Sequence, residues 1–296
     1  MLPAIDLHSH TTASDGGLSP TALVEMAAAK GLQYLAITDH DTCEGLDEAR
    51  IAAQEHGIGL VAGIELSTTW ANCGIHVVGL GIDDKHPALL EAVAEQAKAR
   101  ALRSVEIDQQ LSQRGMPGVM ERARTFASGD SLGRPHFARA MVEMGYVTSE
   151  PEAFKRYLGS KRPGDVRCHW PSMEKVVGWI VAAGGIAVVA HPLKYDLNWT
   201  RLRLMISDFV ALGGGGLEVS YGGENPNRVI DLVRLAEHFK LKMSVGSDYH
   251  RPEFHWTSLG KYPPLKGDID PIWTALGIEL QPRCGSDFSP TQGAPS

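Results

Sequence analysis

Short apolar runs alternate with amphipathic segments along most of this chain. The runs at 4–8, 34–38, 59–65, 74–80, 186–190, 216–220 and 242–246 are typical of buried strands, since each is short and bounded by polar or glycine-containing segments. Strand followed by helix, repeated, predicts a parallel sheet. Seven strands in this order predict an α/β fold built on a distorted, seven-stranded barrel.

Helical periodicity fills most of the gaps between these runs. Ser19 is a preferred N-cap residue and Pro20 a preferred first residue, so a helix is predicted from there to about Lys30, with Gly31 as its stop. Segments 46–55, 173–183 and 226–239 have the same periodicity.

The alternation stops between residues 98 and 166, where segments 89–113, 134–145 and 151–158 have helical patterns. We therefore expect an inserted helical subdomain, 98–166, which covers the barrel mouth as a substrate lid. The barrel itself would be discontinuous, formed by residues 1–97 and 167–283. Residues 284–296 are rich in small and polar residues, so we expect a loose tail there.

The charge of the chain is unevenly distributed. The net charge of the 296 residues is −7, but residues 98–167 carry 13 Lys and Arg against 8 Asp and Glu. A basic segment that faces a metal cluster suits a phosphorylated substrate. The alternative is an ordinary solvated helical face.

The start of the chain has neither a basic leader nor a long apolar stretch. Cys43, Cys73, Cys168 and Cys284 are far apart and form no Cys-x-x-Cys pair, which favours reduced thiols. We therefore expect a cytoplasmic protein with no membrane association. No obligate protein partner is evident from the sequence.

Histidine and acidic residues lie mostly at the ends of the strand-like runs. Nine of them are candidate metal ligands: His8, His10, Asp15, His40, Glu65, His76, His191, Asp248 and His250. Such widely separated residues converge only if the fold brings many strand ends to one rim, as parallel α/β barrels do. Side chains alternate along a strand, so Asp248 and His250 would point to one side if the strand runs on through Tyr249.

The type and number of these ligands constrain the ions. Imidazoles and carboxylates without thiolates favour manganese, zinc or iron. Nine ligands exceed the needs of one ion, so we expect two or three that share bridging carboxylates. Such clusters activate water and clamp phosphoryl oxygens. Asp39 and Asp41 flank His40, and each is expected either to orient its imidazole or to cap the next helix.

Taken together, these motifs resemble the polymerase and histidinol phosphatase (PHP) family of metal-dependent phosphoesterases. The matching segments are His8-Ser9-His10, Ser14-Asp15-Gly16, Thr38-Asp39-His40-Asp41, Gly63-Ile64-Glu65, His76, Ala190-His191-Pro192 and Gly246-Ser247-Asp248-Tyr249-His250. The resemblance spans nearly the whole chain and implies a (β/α)7-like barrel with a trinuclear site. It implies that His8, His10, Glu65 and Asp248 hold one ion, that Glu65 bridges to a second held with His76 and His191, and that Asp15, His40 and His250 hold the third.

Within the family, the length of the insertion and the stretch 133–139 resemble the bacterial branch that includes 3′,5′-nucleoside bisphosphate phosphatases and a 5′→3′ exoribonuclease of short RNA. Arg134 is the first candidate to bind a substrate phosphate, because a guanidinium fork suits phosphate oxygens, and His136 is its neighbour. Arg100 is a second candidate, or else a surface helix residue. His191 and Asp248 are candidates for proton movement.

The resemblance implies a hydrolase that removes the 3′-phosphate of a nucleoside 3′,5′-bisphosphate such as adenosine 3′,5′-bisphosphate, leaving the 5′-nucleotide. Manganese is the expected ion, with Fe²⁺, Zn²⁺ or Mg²⁺ as alternatives. Three other functions stay open: exonucleolytic cleavage of short 5′-phosphorylated RNA, hydrolysis of histidinol phosphate, and a non-catalytic binding role like that of polymerase accessory domains.

Overall fold

A computed structural model of the protein describes residues 4–281 apart from 128, 130, 168, 254–256 and 266–268. The predicted tail, Cys168 and Cys284 lie outside the described residues. Seven strands form one sheet in sequential order: β1 (Ile5–Asp6), β2 (Tyr34–Ile37), β3 (Gly59–Trp70), β4 (Cys73–Leu80), β5 (Ile186–Val189), β6 (Gly216–Tyr221) and β7 (Lys242–Gly246). The first and last strands approach each other, since the Leu7 N–H donates to the Val245 carbonyl at 3.1 Å. The sheet is therefore a nearly closed barrel, as predicted.

Helices follow most strands. Those of the barrel are α1 (Pro20–Ala29), α2 (Leu46–His56), α7 (Met173–Ala182), α8 (Trp199–Ala211), α9 (Pro226–Phe239) and α10 (Ile272–Ala275), and those between β4 and α7 are α3 (Pro87–Ser112), α4 (Val119–Arg124), α5 (Arg134–Glu143) and α6 (Glu150–Ala153). A π-helix, Phe154–Leu158, continues α6, and a 3-10 turn, Pro192–Lys194, follows β5. Ser19 caps α1 as predicted, because its hydroxyl accepts the Ala22 N–H at 3.2 Å.

The prediction of a wholly parallel sheet is wrong at β4. This strand pairs antiparallel with both β3 and β5. The two residues that join β3 to β4, Ala71 and Asn72, have φ values of 45° and 64°, which is the backbone of a tight hairpin turn. Because β4 is antiparallel to its neighbours, its first residues lie at the rim where the parallel strands end. His76, near the start of β4, reaches that rim for this reason.

The barrel and the helical segment that follows β4 each have a buried hydrophobic cluster of their own. Strand residues such as Ile5, Val61 and Val188 meet inside the barrel, where Trp273 of α10 joins them. A second cluster is drawn wholly from residues 107–166. Helix α3 belongs to both regions, since Leu89 and Ala92 in its first turns join a further cluster with residues of β3, β4 and α7, whereas Ile107 and Leu111 near its end join the second cluster. The predicted boundary at residue 98 therefore falls inside a continuous helix.

Among the described residues, none of the helices combines the length and the apolar character needed to cross a lipid bilayer.

Candidate metal centre

The nine predicted ligands come together at one rim of the barrel. Their candidate ligand atoms form four overlapping groups, each with all atoms within 4.8 Å of one another: His10, Asp15, His40 and His250; His8, Glu65 and His191; His8, His10 and Asp248; and His40, Glu65 and His76. All nine residues are buried or half-buried. The convergence expected from strand ends is therefore present.

Glu65 lies at the centre of this arrangement and is fully buried. Its two oxygens face five imidazoles. Oε2 lies 3.2 Å from Nε2 of both His8 and His10 and 3.0 Å from Nδ1 of His40. Oε1 lies 2.9 Å from Nδ1 of His76 and 3.0 Å from Nε2 of His191. Burial alone would raise the pKa of Glu65, but the surrounding histidines hold it well below its usual value. An ionised carboxylate with both oxygens shared in this way has the geometry of a bridging ligand.

The two aspartates extend the cluster on either side. Asp248 Oδ1 lies 3.5 Å from Nε2 of His8 and 3.4 Å from Nε2 of His10, and its other oxygen pairs with the Lys194 ammonium. Asp15 Oδ1 lies 3.4 Å from Nε2 of His250. Burial opposes ionisation of both aspartates. The cations and imidazoles beside each of them nevertheless lower its pKa, so both are carboxylates.

Several buried nitrogen and oxygen atoms in this cluster have no hydrogen-bond partner among the residues that the structure describes. They are Nε2 of His8, both ring nitrogens of His10, Oδ1 of Asp15, Nδ1 of His40, Oε2 of Glu65 and Nδ1 of His191. Buried polar atoms are nearly always paired in folded proteins. Unpaired imidazole nitrogens and carboxylate oxygens that face one another are the donor set of divalent cations, so the residues present fit a polynuclear metal site.

The backbone bends sharply where the ligands enter the site. Strand β7 ends at Gly246, and Asp248 has a left-handed φ of 52°, so the condition that the strand runs on through Tyr249 is not met. Tyr249 instead forms a single bridge with Ser9, and Asp248 and His250 still reach the cluster. His191 is also unusual, with a φ of 26°. Such conformations cost about 1–3 kcal/mol each, and they concentrate at functional sites.

Gly246 allows the two edge strands to approach each other beneath the site. A Cβ at this position would lie 2.3 Å from the Cβ of His8. Only glycine therefore lets β7 pass so close to the ligand segment that follows β1.

Two residues that support the ligands were not predicted. Glu218, at 2% exposed, places Oε1 3.0 Å from Nδ1 of His8, and its Oε2 accepts the backbone N–H of His191 at 2.6 Å. The Tyr195 hydroxyl accepts the His76 N–H at 2.9 Å and donates to the Ala190 carbonyl at 2.7 Å. A signal for Glu218 was present, since it is the one acidic residue in the apolar run 216–220.

Neither role expected for Asp39 and Asp41 is observed. Asp39 accepts hydrogen bonds from Thr11 and Ser14, and Asp41 accepts them from Ser67 and Arg100. Among the described residues neither carboxylate bonds to His40, and α2 has Gly45 at its N-cap. The two carboxylates instead tie neighbouring loops together around the rim.

A cavity of about 520 Å³ opens above the cluster. Metal-ligand candidates such as Asp15, His76 and Asp248 line it, and so do the basic residues Arg100, Arg103, Arg134, Arg167 and Lys194. Arg134 is partly exposed in this cavity, donates to the Leu158 carbonyl at 3.1 Å and lies 3.8 Å from Asp165.

The other two predicted substrate-binding residues are engaged inside the protein. Arg100 is buried, not on the surface, and its Nε donates to Asp41 Oδ2 at 2.7 Å. His136 is buried in the first turn of α5, where its Nδ1 accepts the Gly133 N–H at 3.0 Å, and it is not among the residues that line the cavity. Burial lowers the pKa of His136 to about 4, so it is neutral at physiological pH.

The fold and this rim define a class of protein, the metal-dependent phosphoesterases of the barrel type. Residues 6–126 match the PHP domain. The chain is 44% identical over 273 residues to a 5′-3′ exoribonuclease of Haemophilus influenzae, which covers 92% of this chain and 99% of the relative. It is 38% identical to a 3′,5′-nucleoside bisphosphate phosphatase of Chromobacterium violaceum, over 93% of this chain and 97% of that one.

A solved structure shows the same fold over most of the chain. It is that of an amidohydrolase from Chromobacterium violaceum with bound sulfate and no metal, and it superimposes with a TM-score of 0.87 at 38% identity, covering 93% of this chain and 96% of the other. The chain belongs to the PHP family, and it is a hydrolase of that family.

Proposed function

We propose that this protein hydrolyses the 3′-phosphate of nucleoside 3′,5′-bisphosphates, such as adenosine 3′,5′-bisphosphate, to the 5′-monophosphate and phosphate. The observation that carries the proposal is a cavity lined both by metal-ligand candidates and by guanidinium groups. Such a lining suits a small substrate with two phosphates, one bound by metal ions and the other by guanidinium groups. The bisphosphate phosphatase activity named for the Chromobacterium violaceum relative supports this choice.

The nine clustered residues would hold two or three divalent ions, and manganese is the ion we propose. Imidazole and carboxylate donors suit manganese, and they suit Fe²⁺, Zn²⁺ or Mg²⁺ to differing degrees. When bound, such ions neutralise charge on phosphoryl oxygens and lower the pKa of coordinated water. The partition that we propose follows the resemblance, and the grouping of Asp15, His40 and His250 supports it. The observed groups place His76 with His40 and Glu65, and His191 with His8 and Glu65.

The protein's own residues would position the substrate and supply a donor at the leaving group. Asp248 holds the Lys194 ammonium, which lines the cavity and is 44% exposed. This pair places an N–H donor where the departing 3′ oxygen would gain a proton. We assign proton donation here to Lys194, which Asp248 positions, and His191 stays the second candidate for proton movement. His191 is held in place through its backbone N–H by Glu218.

Residues 98–166 would act as the substrate lid. They contribute Arg103, Arg134, Pro135 and Phe154 to the cavity wall, opposite the barrel rim. Their separate buried cluster supports a unit that keeps its own shape.

A second activity, 5′→3′ cleavage of short 5′-phosphorylated RNA, is favoured by a neighbouring cavity of about 340 Å³. It shares Lys194, Asp248 and His250 with the first cavity, and Pro151 and Phe154 give it an apolar wall. A nucleotide beyond the reacting phosphate would fit there. The exoribonuclease name of the Haemophilus influenzae relative supports this alternative.

A substrate panel with manganese-loaded protein tests both activities. We expect release of phosphate from adenosine 3′,5′-bisphosphate, release of 5′-mononucleotides from a 5′-phosphorylated tetranucleotide, and at least 100-fold lower kcat/KM on histidinol phosphate. Absence of phosphate release from the bisphosphate would refute the proposed function. Turnover of the RNA alone would leave the exonuclease as the activity of the site, and turnover of neither nucleotide substrate would favour the histidinol phosphate or binding-domain alternatives.

A further inference from the structure

The guanidinium groups around the cavity differ in how their charges are balanced. Arg100 is paired with Asp41, with its Nη2 2.6 Å from the carboxylate. Arg167 is paired with Asp165, to which its Nε donates at 2.7 Å, and Arg134 lies 3.8 Å from the same carboxylate. Three of the four guanidiniums therefore have an acidic neighbour.

Arg103 has none. Among the described residues, no carboxylate oxygen lies within 4.0 Å of its guanidinium nitrogens, although the side chain is only 6% exposed and lines the cavity. Its Nε donates to the Val166 carbonyl at 2.9 Å, and no described residue accepts a hydrogen bond from its Nη1 or Nη2. Two donors of a buried cation are therefore left for a ligand in the cavity.

The orientation of this guanidinium is fixed from two sides. Its Cζ lies 5.2 Å from the ring centroid of Trp170, and the Val166 carbonyl holds the Nε edge. A planar fork held in this way presents its remaining N–H groups in one direction. That geometry favours bidentate binding of a phosphate.

Burial and the nearby charges of Arg134 and Arg100 lower the pKa of Arg103 well below its usual value, and the carboxylates of Asp41 and Asp165 only partly offset this effect. Arginine nevertheless stays protonated in proteins. A buried charge without a direct ion pair is costly, so an anion in the cavity would gain a favourable interaction with this guanidinium.

We infer that Arg103 is the principal anchor of the phosphate that is not hydrolysed, which is the 5′-phosphate of the substrate. This inference rests on the proposed function and deepens it. Arg134, which lies near Asp165, assists in binding this phosphate. Arg100 positions the rim of the barrel through its ion pair with Asp41. Arg103 would therefore determine specificity for 5′-phosphorylated substrates, because a substrate without that group leaves its charge unmatched.

Arg103→Gln tests this assignment by activity. We expect kcat/KM on adenosine 3′,5′-bisphosphate to fall about 30-fold, mostly through KM, since a charge-assisted bidentate contact is lost. On adenosine 3′-monophosphate, which lacks the 5′ group, the change should stay within about twofold. Arg114→Gln, which removes an exposed arginine next to the same helix, is the matched control and should change neither value. Equal losses of Arg103→Gln on both substrates would overturn the inference.

A binding measurement separates this inference from the proposed activity. Metal-free protein is titrated with adenosine 5′-monophosphate in a calorimeter, and its melting temperature is followed with and without the nucleotide. The wild type should bind and be stabilised. Arg103→Gln should bind about 30-fold more weakly, and without nucleotide it should melt no lower than the wild type, because an unpaired buried charge has been removed.

The affinity of Arg103→Lys for adenosine 5′-monophosphate should lie between those of the wild type and Arg103→Gln, since lysine keeps the positive charge but lacks the planar guanidinium. Undiminished binding of the nucleotide to Arg103→Gln refutes the anchor even if the enzyme hydrolyses the bisphosphate. If binding depends on Arg103 but no substrate is turned over, the anchor stands and the proposed function is wrong.

Discussion

Glu218 Oε1 lies 3.0 Å from Nδ1 of His8, whereas Nε2 of the same ring faces Glu65 and Asp248. A carboxylate on one ring nitrogen holds the proton there and leaves the lone pair of the other nitrogen for a metal ion. Glu218 thus selects the ring orientation and the tautomer that the candidate site requires.

Glu218→Gln should therefore weaken metal binding without removing a ligand. We expect the affinity for manganese to fall about 10-fold or more, which is the range for such outer contacts. Calorimetric titration of metal-free protein and metal analysis after dialysis measure the change. Glu237→Gln, at an exposed position on α9, is the control and should bind as the wild type does. Unchanged affinity in Glu218→Gln would show that His8 is oriented by packing alone.

Asp41→Asn tests the ion pair that joins the rim to α3. Arg100 and Asp41 are 7% and 4% exposed, so the substitution leaves a buried guanidinium without its partner. We expect a loss of about 3 kcal/mol in the free energy of unfolding, because breaking a buried pair on one side is strongly destabilising. Urea unfolding measures this loss.

The double variant Asp41→Asn with Arg100→Gln provides the control for that experiment. It should recover part of the stability, since the unmatched charge is gone, and the double-mutant cycle should give a coupling of at least about 1 kcal/mol. Additive effects of the two substitutions would contradict a direct interaction between these side chains.

Gly246→Ala should disrupt the approach of β7 to the His8 segment. The new Cβ would lie 2.3 Å from the Cβ of His8 and 2.7 Å from its backbone nitrogen, so the segment carrying two candidate ligands must move. Overpacking of this kind costs about 1–3 kcal/mol. Both the melting temperature and the manganese content should fall.

Gly178→Ala is the matched control for that substitution. Gly178 lies on the exposed side of α7, and an added Cβ there has nothing within 4 Å. Because alanine is the better helix former, this variant should gain about 0.5–1 kcal/mol. A normal metal content in Gly246→Ala would mean that the rim tolerates displacement of β7.

The sequence predicted that the nine candidate ligands lie together, because their residue types and their strand-end positions are both local signals. The reversal of β4 was missed, since Ala71-Asn72 lacks the glycine that usually marks a tight hairpin. The separate roles of Arg100 and Arg103 were also out of reach. Each lies on α3 and lines the cavity, and only the tertiary fold decides that Arg100 meets Asp41 while Arg103 meets the Val166 carbonyl.

Loading metal-free protein with manganese at pH 8 should release protons. Burial alone would lower the pKa of His10, but its contacts with Asp248 and Glu65 raise it to about 10, and Glu218 and Glu65 raise that of His8 well above 6.5. Both imidazoles are therefore protonated before metal binds, and a metal ligand must be neutral. The apparent affinity for manganese should rise with pH from about 6.5 toward 10, by up to about tenfold per pH unit for each proton displaced.

Calorimetry in buffers of different ionisation enthalpy counts the protons released, and His56→Gln, at an exposed position, should leave their number unchanged. Binding without proton release at pH 8 would show that the neighbouring carboxylates do not keep these two imidazoles charged.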